Sequence, residues 1–334
     1  MPRWSKPTWH ATAPNCVESV RRILVTGAAG FVGAHLLPAL RAAFPTARLI
    51  AATRGDSVEA WDEAVPLDLA APNSPAECIR AASPDAVVHL AALAAVGASF
   101  RDPLATWRVN VLGTLALAEA VLAEAPGIPF VHASSAEVYG LSFRSGGPLN
   151  EEAPMRPANP YAASKAAADV GLGEMALRGL HAIRLRPVNH TGSGQSEDFV
   201  VAAFARQVAS IAAGVQPPTI RVGALDRWRD FLDVRDVAAG YVAALRMASS
   251  LAPGSVFNLA SGTPRHIGDM LSTLLLMAGI KPGIEQAPAL LRQTDVMRTE
   301  CDARAARTAL SWNATIPWEE TLATVLADWR ARVR

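Results

Sequence analysis

The stretch Ile23-Leu24-Val25-Thr26-Gly27-Ala28-Ala29-Gly30-Phe31-Val32-Gly33 constrains this chain more than any other. A short apolar run suits a buried parallel strand, and three glycines follow at the spacing Gly-x-x-Gly-x-x-Gly. An apolar helical pattern then starts at Phe31 and Val32 and continues through Leu36, Leu37 and Leu40. Each part suits a dinucleotide. Glycine lets the chain turn sharply out of the strand, and the missing side chains let backbone N–H groups approach a pyrophosphate. The helix that begins here directs its positive end at those phosphates. Gly33, one turn in, lets helix and strand pack closely. A tight turn without a ligand would use the same glycines, so context decides. A strand precedes, a helix follows, and the motif opens a long alternating chain.

Short apolar runs and longer helical patterns alternate after the glycine turn, which predicts a parallel sheet covered on both faces. Strands are expected over 48–53, 64–67, 86–91, 128–133 and 182–186, with long helices over 102–125 and 160–178. Residues 21–187 then form a Rossmann-type doubly wound α/β domain, preceded by a loose leader over 1–20. Beyond Pro187 the texture changes. A polar, glycine-rich loop over 189–194 leads into helical stretches over 199–213, 234–248, 267–278 and 318–330, with short strands between them. Residues 188–334 are expected to form a smaller mixed α/β substrate lobe, some of its segments returning to the sheet. Its loops would close over the carboxyl ends of the strands, where such folds bind ligands.

Composition narrows the function. Hydrophobic residues make up 51% of the 334 positions and charged residues 18%, enough for a sizeable core. A formal net charge of +1 gives no basis for nucleic-acid binding. Cys16, Cys78 and Cys301 lie far apart without metal-ligand spacing and read as free thiols of a reducing compartment. No apolar run reaches membrane length, and no signal-peptide pattern opens the chain. The expected location is the cytoplasm, with no metal and no membrane partner.

Two groups of residues carry chemistry. Tyr161 and Lys165 are i and i+4 on one predicted helix and face the same way. A phenol with a reference pKa of about 10 is a poor catalyst at neutral pH. A lysine one turn away favours phenolate and is expected to lower that pKa. Such a tyrosine gives a proton to a developing alkoxide during hydride transfer, or takes one in reverse. An ordinary exposed Tyr/Lys pair would look the same, but the chain holds only three tyrosines. The second group, Ala133-Ser134-Ser135-Ala136-Glu137-Val138-Tyr139-Gly140, follows a predicted strand directly and sets hydroxyls where a substrate carbonyl would lie. Turn chemistry alone also favours Ser and Gly there.

In this order, the glycine turn, Ser-Ser before Val138-Tyr139-Gly140, and Tyr-x-x-x-Lys resemble the extended short-chain dehydrogenase/reductases, the NAD-dependent epimerase/dehydratase family. Asp68, His89-Leu90-Ala91-Ala92, Asn110-x-x-Gly113-Thr114, Arg186-Pro187-x-Asn189 and Arg229-Asp230-Phe231-Leu232-Asp233-Val234-x-Asp236 extend the resemblance over residues 20–330. Further stretches are similar to the branch that reduces GDP-4-keto-6-deoxy-D-mannose to GDP-D-rhamnose. They are Ser99-Phe100-Arg101-Asp102-Pro103, Pro157-x-Asn159-Pro160-Tyr161, Asn189-His190-Thr191-Gly192-x-Gly194-Gln195-Ser196 and Leu291-Arg292-x-x-Asp295-Val296.

That resemblance implies NAD(P)H as hydride donor and a nucleotide-linked, GDP-type 4-keto-6-deoxy sugar as substrate. It implies that Ser135 bonds the C4 carbonyl, Tyr161 is the general acid, Lys165 tunes it and holds the nicotinamide ribose, and Asn110 supports the lysine through a water. Gly27, Gly30, Phe31, Val32 and Gly33 would line the pyrophosphate. Thr53, Arg54, Asp68 and Leu69 would surround the adenosine end, Ala91 and Ala92 the cofactor ribose, and Pro187 the nicotinamide. Ser135, Glu137, Asn189, Val200, Arg229, Arg292 and Asp295 would hold the nucleotide sugar. His190 is expected to be a packed loop histidine. The family also implies a homodimer through a four-helix bundle of the helices over 102–125 and 160–178.

Two departures from the family pattern bear on the chemistry. NAD-preferring members place a carboxylate at the tip of strand two. Here Ala51-Ala52-Thr53-Arg54 puts no carboxylate at the tip, and Arg54 could meet a 2′-phosphate, so NADP(H) is favoured; NAD(H) remains an alternative if the strand runs on and Asp56 reaches the ribose. Many sugar 4,6-dehydratases have Asp-Glu where this chain has Ala136-Glu137, which favours a reductase, although Glu137 keeps a dehydratase or 4-epimerase in view. A catalytically silent NAD(P)-sensing protein is the alternative of a different class.

Overall fold

The computed structural model describes residues 20–55, 58–290 and 296–333. In chain order its first half comprises β1 (Arg22–Thr26), α1 (Phe31–Ala43), β2 (Arg48–Thr53), β3 (Glu63–Pro66), α2 (Ser74–Ala82), β4 (Ala86–His89), α3 (Val96–Arg101), α4 (Pro103–Trp107), α5 (Thr114–Glu124), β5 (Pro129–Ala133), α6 (Pro160–Leu177) and β6 (His181–Pro187). The second half adds β7 (Asn189–Thr191), α7 (Val200–Ala212), β8 (Thr219–Val222), β9 (Trp228–Arg229), β10 (Phe231–Asp233), α8 (Val234–Met247), β11 (Ser255–Leu259), β12 (Arg265–His266), α9 (Ile267–Ala278), β13 (Gly283–Gln286), β14 (Arg298–Thr299), α10 (Arg304–Leu310) and α11 (Trp318–Arg332).

Among the described residues, seven strands form one sheet in the order β11-β6-β5-β4-β1-β2-β3, every pair parallel. This is the doubly wound order, reversing direction between β1 and β4. Side chains alternate across it, as the period of two requires. Ile23, Val25, Leu49, Val88, Val131 and Ile183 enter one core with Leu36 and Leu40 of α1 and Val237, Tyr241 and Leu245 of α8. Leu24, Ile50, Val87, Phe130 and Ala182 enter the other with Ile79 of α2, Leu117 and Val121 of α5, and Leu172 of α6. The strands are apolar on both faces because both faces are covered. A third core lies in the lobe, where Val201, Phe204 and Val208 of α7 meet Met270 and Leu274 of α9 and Leu322 and Val325 of α11.

Several expected elements take a different form. The helix expected over 102–125 starts at Pro103, capped by Asp102 Oδ1, which accepts from Ala105 N at 2.9 Å. It is then interrupted by a π-helical stretch, Arg108–Gly113, before α5. Composition does not distinguish the two kinds of turn, so the sequence reads through it. The stretch lets Gly113 come so close to the end of β3 that an added Cβ would lie 2.6 Å from Leu69 Cβ. The strand expected over 86–91 ends at His89, because Leu90 N and Ala91 N turn to the backbone and hydroxyl of Thr26. Part of the loop expected over 189–194 is β7, which pairs with β10. Two later segments return to the sheet: β11 as its edge strand, and α8 against α1. No helix among the described residues is long and apolar enough to cross a membrane.

Candidate active site

A cavity of about 910 Å³ opens over the carboxyl ends of β1, β4, β5 and β6, with α7, β8 and β9 on its far side. Its position follows from the reversal of strand order, which leaves a crevice between diverging connections. Fifteen of the expected site residues line it: Gly27, Gly30, Phe31, Val32, Gly33, Ala91, Ala92, Ser135, Glu137, Tyr161, Lys165, Pro187, Asn189, Val200 and Arg229. Thr53, Arg54, Asp68 and Leu69 lie at the ends of β2 and β3, beyond its lining. Arg292 and Asp295, like Asp56 and Cys16, fall outside the described residues.

The candidate catalytic group is assembled by two helix starts. Ser135 precedes a 3₁₀ segment, and its Oγ accepts from Glu137 N at 3.1 Å. Asn159 caps α6, with Oδ1 accepting from Ala162 N at 2.8 Å, and its Nδ2 donates to Glu137 at 3.4 Å. The one residue therefore fixes both the helix bearing Tyr161 and the carboxylate beside it. Tyr161 N donates to Ser99 Oγ at 3.2 Å.

Burial drives the Tyr161 phenol up to about 12; a hydrogen bond with Ser135 pulls it down and the Glu137 charge raises it further. Lys165, 4% exposed, donates from Nζ to Ala133 O at 2.7 Å. Burial brings the lysine down to about 8, against the charge of Asp169 one turn on. The expected lowering of the phenol by Lys165 is therefore not what this geometry gives. The ammonium donates one of its three protons to a strand-end carbonyl, and desolvation of the phenolate dominates.

Below the pair lies a buried ionic network. Asp169 accepts from Arg186 Nη2 at 2.8 Å, Arg184 Nη1 at 2.9 Å and Ser134 Oγ at 2.6 Å. Burial pushes its pKa up, but these donors hold it below the usual carboxylate value. Arg186 also donates to the Tyr139 hydroxyl at 2.9 Å, which donates on to Asn258 at 2.8 Å.

Asn110, expected beside the lysine, is buried in the π-helical stretch and does not line the cavity. Its amide accepts from Leu93 N at 2.8 Å and donates to Leu93 O at 3.1 Å and Ser164 Oγ at 3.0 Å. It reaches α6 through the neighbour of Lys165, a positioning contact rather than a catalytic one.

At the sheet end, the backbone fits a dinucleotide. Gly27 has φ +69°, and an added Cβ would lie 2.8 Å from Ala91 N. A Cβ on Gly33 would lie 2.4 Å from Ala28 O. Thr26 Oγ1 accepts from Ala91 N at 3.1 Å and bonds His89 Nδ1 at 2.7 Å, so the ends of β1 and β4 are tied together under the turn.

At the lobe end, three arginines that the sequence did not single out join Arg229 around the cavity: Arg206, Arg221 and Arg227. Arg206 pairs with Glu197 and Arg227 with Asp226. Arg229 Nη1 donates to Trp228 O at 2.8 Å. The spacing Arg227-x-Arg229 was a usable signal, since i and i+2 share a face of an extended chain. Nothing local marks Arg206 or Arg221.

A profile of the NAD dependent epimerase/dehydratase family matches residues 23–260. The chain belongs to that family. It is an NAD(P)-dependent oxidoreductase of the extended short-chain dehydrogenase/reductase type. Among relatives of this family, the GDP-6-deoxy-D-mannose reductase of Pseudomonas aeruginosa is 36% identical over 316 residues, covering 94% of this chain and 99% of the relative. The structure of RMD from Pseudomonas aeruginosa complexed with NADPH superimposes with a TM-score of 0.79 at 32% identity, over 93% of this chain and 99% of that one. A Thermus thermophilus UDP-glucose 4-epimerase in complex with NAD gives a TM-score of 0.80 at 29% identity, over 92% and 99%.

Proposed function

We propose that this family member reduces the C4 ketone of a nucleotide-linked 4-keto-6-deoxy sugar, GDP-4-keto-6-deoxy-D-mannose to GDP-D-rhamnose, with NADPH preferred to NADH. The 36% identity to the Pseudomonas reductase supports the substrate class. The bound NADPH of the similar structure and the exposed Arg54 at the end of β2, in place of a carboxylate, support the cofactor preference.

NAD(P)H supplies the hydride. Gly27, Gly30 and Gly33 with the start of α1 would hold its pyrophosphate, and Pro187 and Lys165 would border its nicotinamide end. Ser135 bonds O4 of the sugar and sets it beside the phenol. As C4 gains hydride, the Tyr161 proton passes to O4, the ketone becomes an alcohol, and the phenol is left as phenolate. Lys165, protonated below about pH 8, stabilises that phenolate. Arg229, with Asn189, would hold the nucleotide diphosphate, since a guanidinium bonds two phosphate oxygens at once.

The observation that carries the reading is Ser135, Tyr161 and Lys165 brought together on the wall of the cavity that the glycine turn also lines, in a chain 36% identical to a reductase. Ketone reduction needs an acid there. A 4-epimerase or 4,6-dehydratase begins by oxidising a hydroxyl and needs the phenolate. Glu137 favours dehydration as a second reading, because its carboxylate lines the same cavity and can remove a proton next to a ketone.

The test offers GDP-, UDP- and dTDP-linked 4-keto-6-deoxy sugars with NADPH or NADH and follows nicotinamide absorbance and product. Stoichiometric NADPH loss with the GDP sugar is expected. Conversion of a nucleotide hexose with no net cofactor change would replace the reductase by an epimerase or dehydratase.

The same family resemblance extends to a homodimer. Leu104, Leu112, Val170 and Leu177, at 60–89% exposure, lie on the helices that a four-helix bundle would pair. Sedimentation that finds only monomer at micromolar protein would remove that part.

A further inference from the structure

Three aromatic rings outside the proposed catalytic group form a row where the glycine turn meets the lobe. Phe31, the first residue of α1, stacks on His190 of β7 with centroids 6.2 Å apart and planes 5° from parallel. It also meets His35, one turn along α1, edge-on at 5.5 Å. The chain after His190 wraps over the phenylalanine. A Cβ on Gly192 would lie 3.7 Å from Phe31 Cζ, and one on Gly194 3.9 Å from its Cδ2.

The wrapped segment is anchored at two neighbouring residues. His35 Nε2 donates to Ser193 O at 2.8 Å, which ties it to α1. Gly194 N donates to Asp328 of α11 at 3.0 Å. Inside the segment, Gln195 Nε2 donates to His190 O at 2.9 Å, and its Oε1 accepts from Thr191 at 2.7 Å. His190 gives its Nδ1 proton to Val188 O at 3.0 Å. Asn189, at the start of the segment, lines the cavity, and β7 runs beside β10.

We propose that His190 and His35 are positioning residues that couple the two ends of the cavity through Phe31. Resting on the assignment of a dinucleotide to the glycine turn and a nucleotide sugar to the lobe end, the coupling works through shared contacts. A dinucleotide seated at the start of α1 bears on Phe31. The ring row then holds the segment carrying Asn189 in the position that favours the second ligand, which binds more tightly. Linkage makes the effect reciprocal.

The experiment is calorimetric titration of the full chain with NADP⁺ and with GDP, each alone and in the presence of the other at saturation. In the wild type each ligand should tighten the other by the same factor, about five- to tenfold. His190→Ala and His35→Ala, both at partly exposed positions, should bring that factor below about twofold, while His190→Phe, which keeps a ring on Phe31, retains it. A purely structural role would weaken both ligands and leave the factor unchanged. Wild-type binding of both ligands without coupling, or full coupling in both alanine variants, overturns the proposal and leaves the functional assignment standing. Failure of the wild type to bind NADP⁺ and GDP overturns that assignment, and the coupling with it.

Discussion

At the sheet end of the cavity the chain presents backbone, and at the lobe end it presents side chains. Gly27, Gly30 and Gly33 come from seven consecutive residues and work by what they lack. Arg206, Arg221, Arg227 and Arg229 come from α7, β8, the approach to β9 and β9 itself, and work by what they carry. At Gly27 and Gly33 the first arrangement leaves no room for an added methyl. The second is a set of flexible cations, each able to adjust, several already engaged with acids or carbonyls. On the proposed function, cofactor binding would be fixed by the glycine turn, and substrate choice left to residues that can change one at a time.

Substitutions at the two ends should fail differently. Gly33→Ala puts a methyl 2.4 Å from Ala28 O and 2.6 Å from Gly27 O, both backbone atoms that cannot rotate away. The turn must shift, at a cost of about 1–3 kcal/mol in stability. Cofactor affinity, read by fluorescence titration, should fall roughly a hundredfold, the larger effect of the pair. Arg229→Ala removes charge-assisted bonds of about 1.5–3 kcal/mol and should raise the nucleotide-sugar KM by about ten- to a hundredfold, with cofactor affinity unchanged. Equal losses of both ligands in both variants would erase the distinction between the ends.

The same contrast explains what could be read without coordinates. The strand–turn–helix unit is legible because its whole mechanism is local: apolar run, glycine spacing, helical period. Tyr161 and Lys165 are legible because one helical turn joins them. β2 was found with its observed limits, since a doubly buried strand bounded by polar residues leaves little choice. The π-helical stretch around Asn110 was not, because the energy that selects it comes from tertiary contacts of Asn110 with Leu93 and of Gly113 with Leu69. Nor was the direction of the Tyr161 shift. The i, i+4 spacing shows that Lys165 faces the same way, but not that its ammonium donates a hydrogen bond to Ala133 O. Arg206 and Arg221 gave no signal because each is an ordinary surface residue until the lobe folds over the sheet.

Acid should separate the two halves by the smallest of these effects, and with opposite signs. In the sheet, His89 and His132 stack at 5.5 Å and are fully buried. Burial, with the nearby Lys165 charge, lowers His89 to about 3 and holds His132 well below its ordinary value. Their folded pKa values lie under the unfolded value of about 6.5, so the unfolded chain binds the extra protons, and stability is lost as pH falls below about 6.5. From pH 7 to 5.5 this amounts to about 1 kcal/mol for each ring. In the lobe, burial raises Asp230 against its bonds to Ser261 and Gly262, so the folded form holds a proton that the unfolded form has released, and acid removes a burial cost. Hydrogen exchange at pH 5.5 should therefore show β4 and β5 opening more often than at pH 7, by about fivefold for each ring the opening exposes, after correction for intrinsic rates, with α7 and α9 unchanged or slower. Neither ring nitrogen of His132 has a partner among the described residues. His132→Phe should therefore leave no polar atom stranded, stabilise the sheet and remove about half of its acid response. An unaltered slope in that variant would place the acid sensitivity elsewhere, and the sheet would lose its claim to be the half that protons open first.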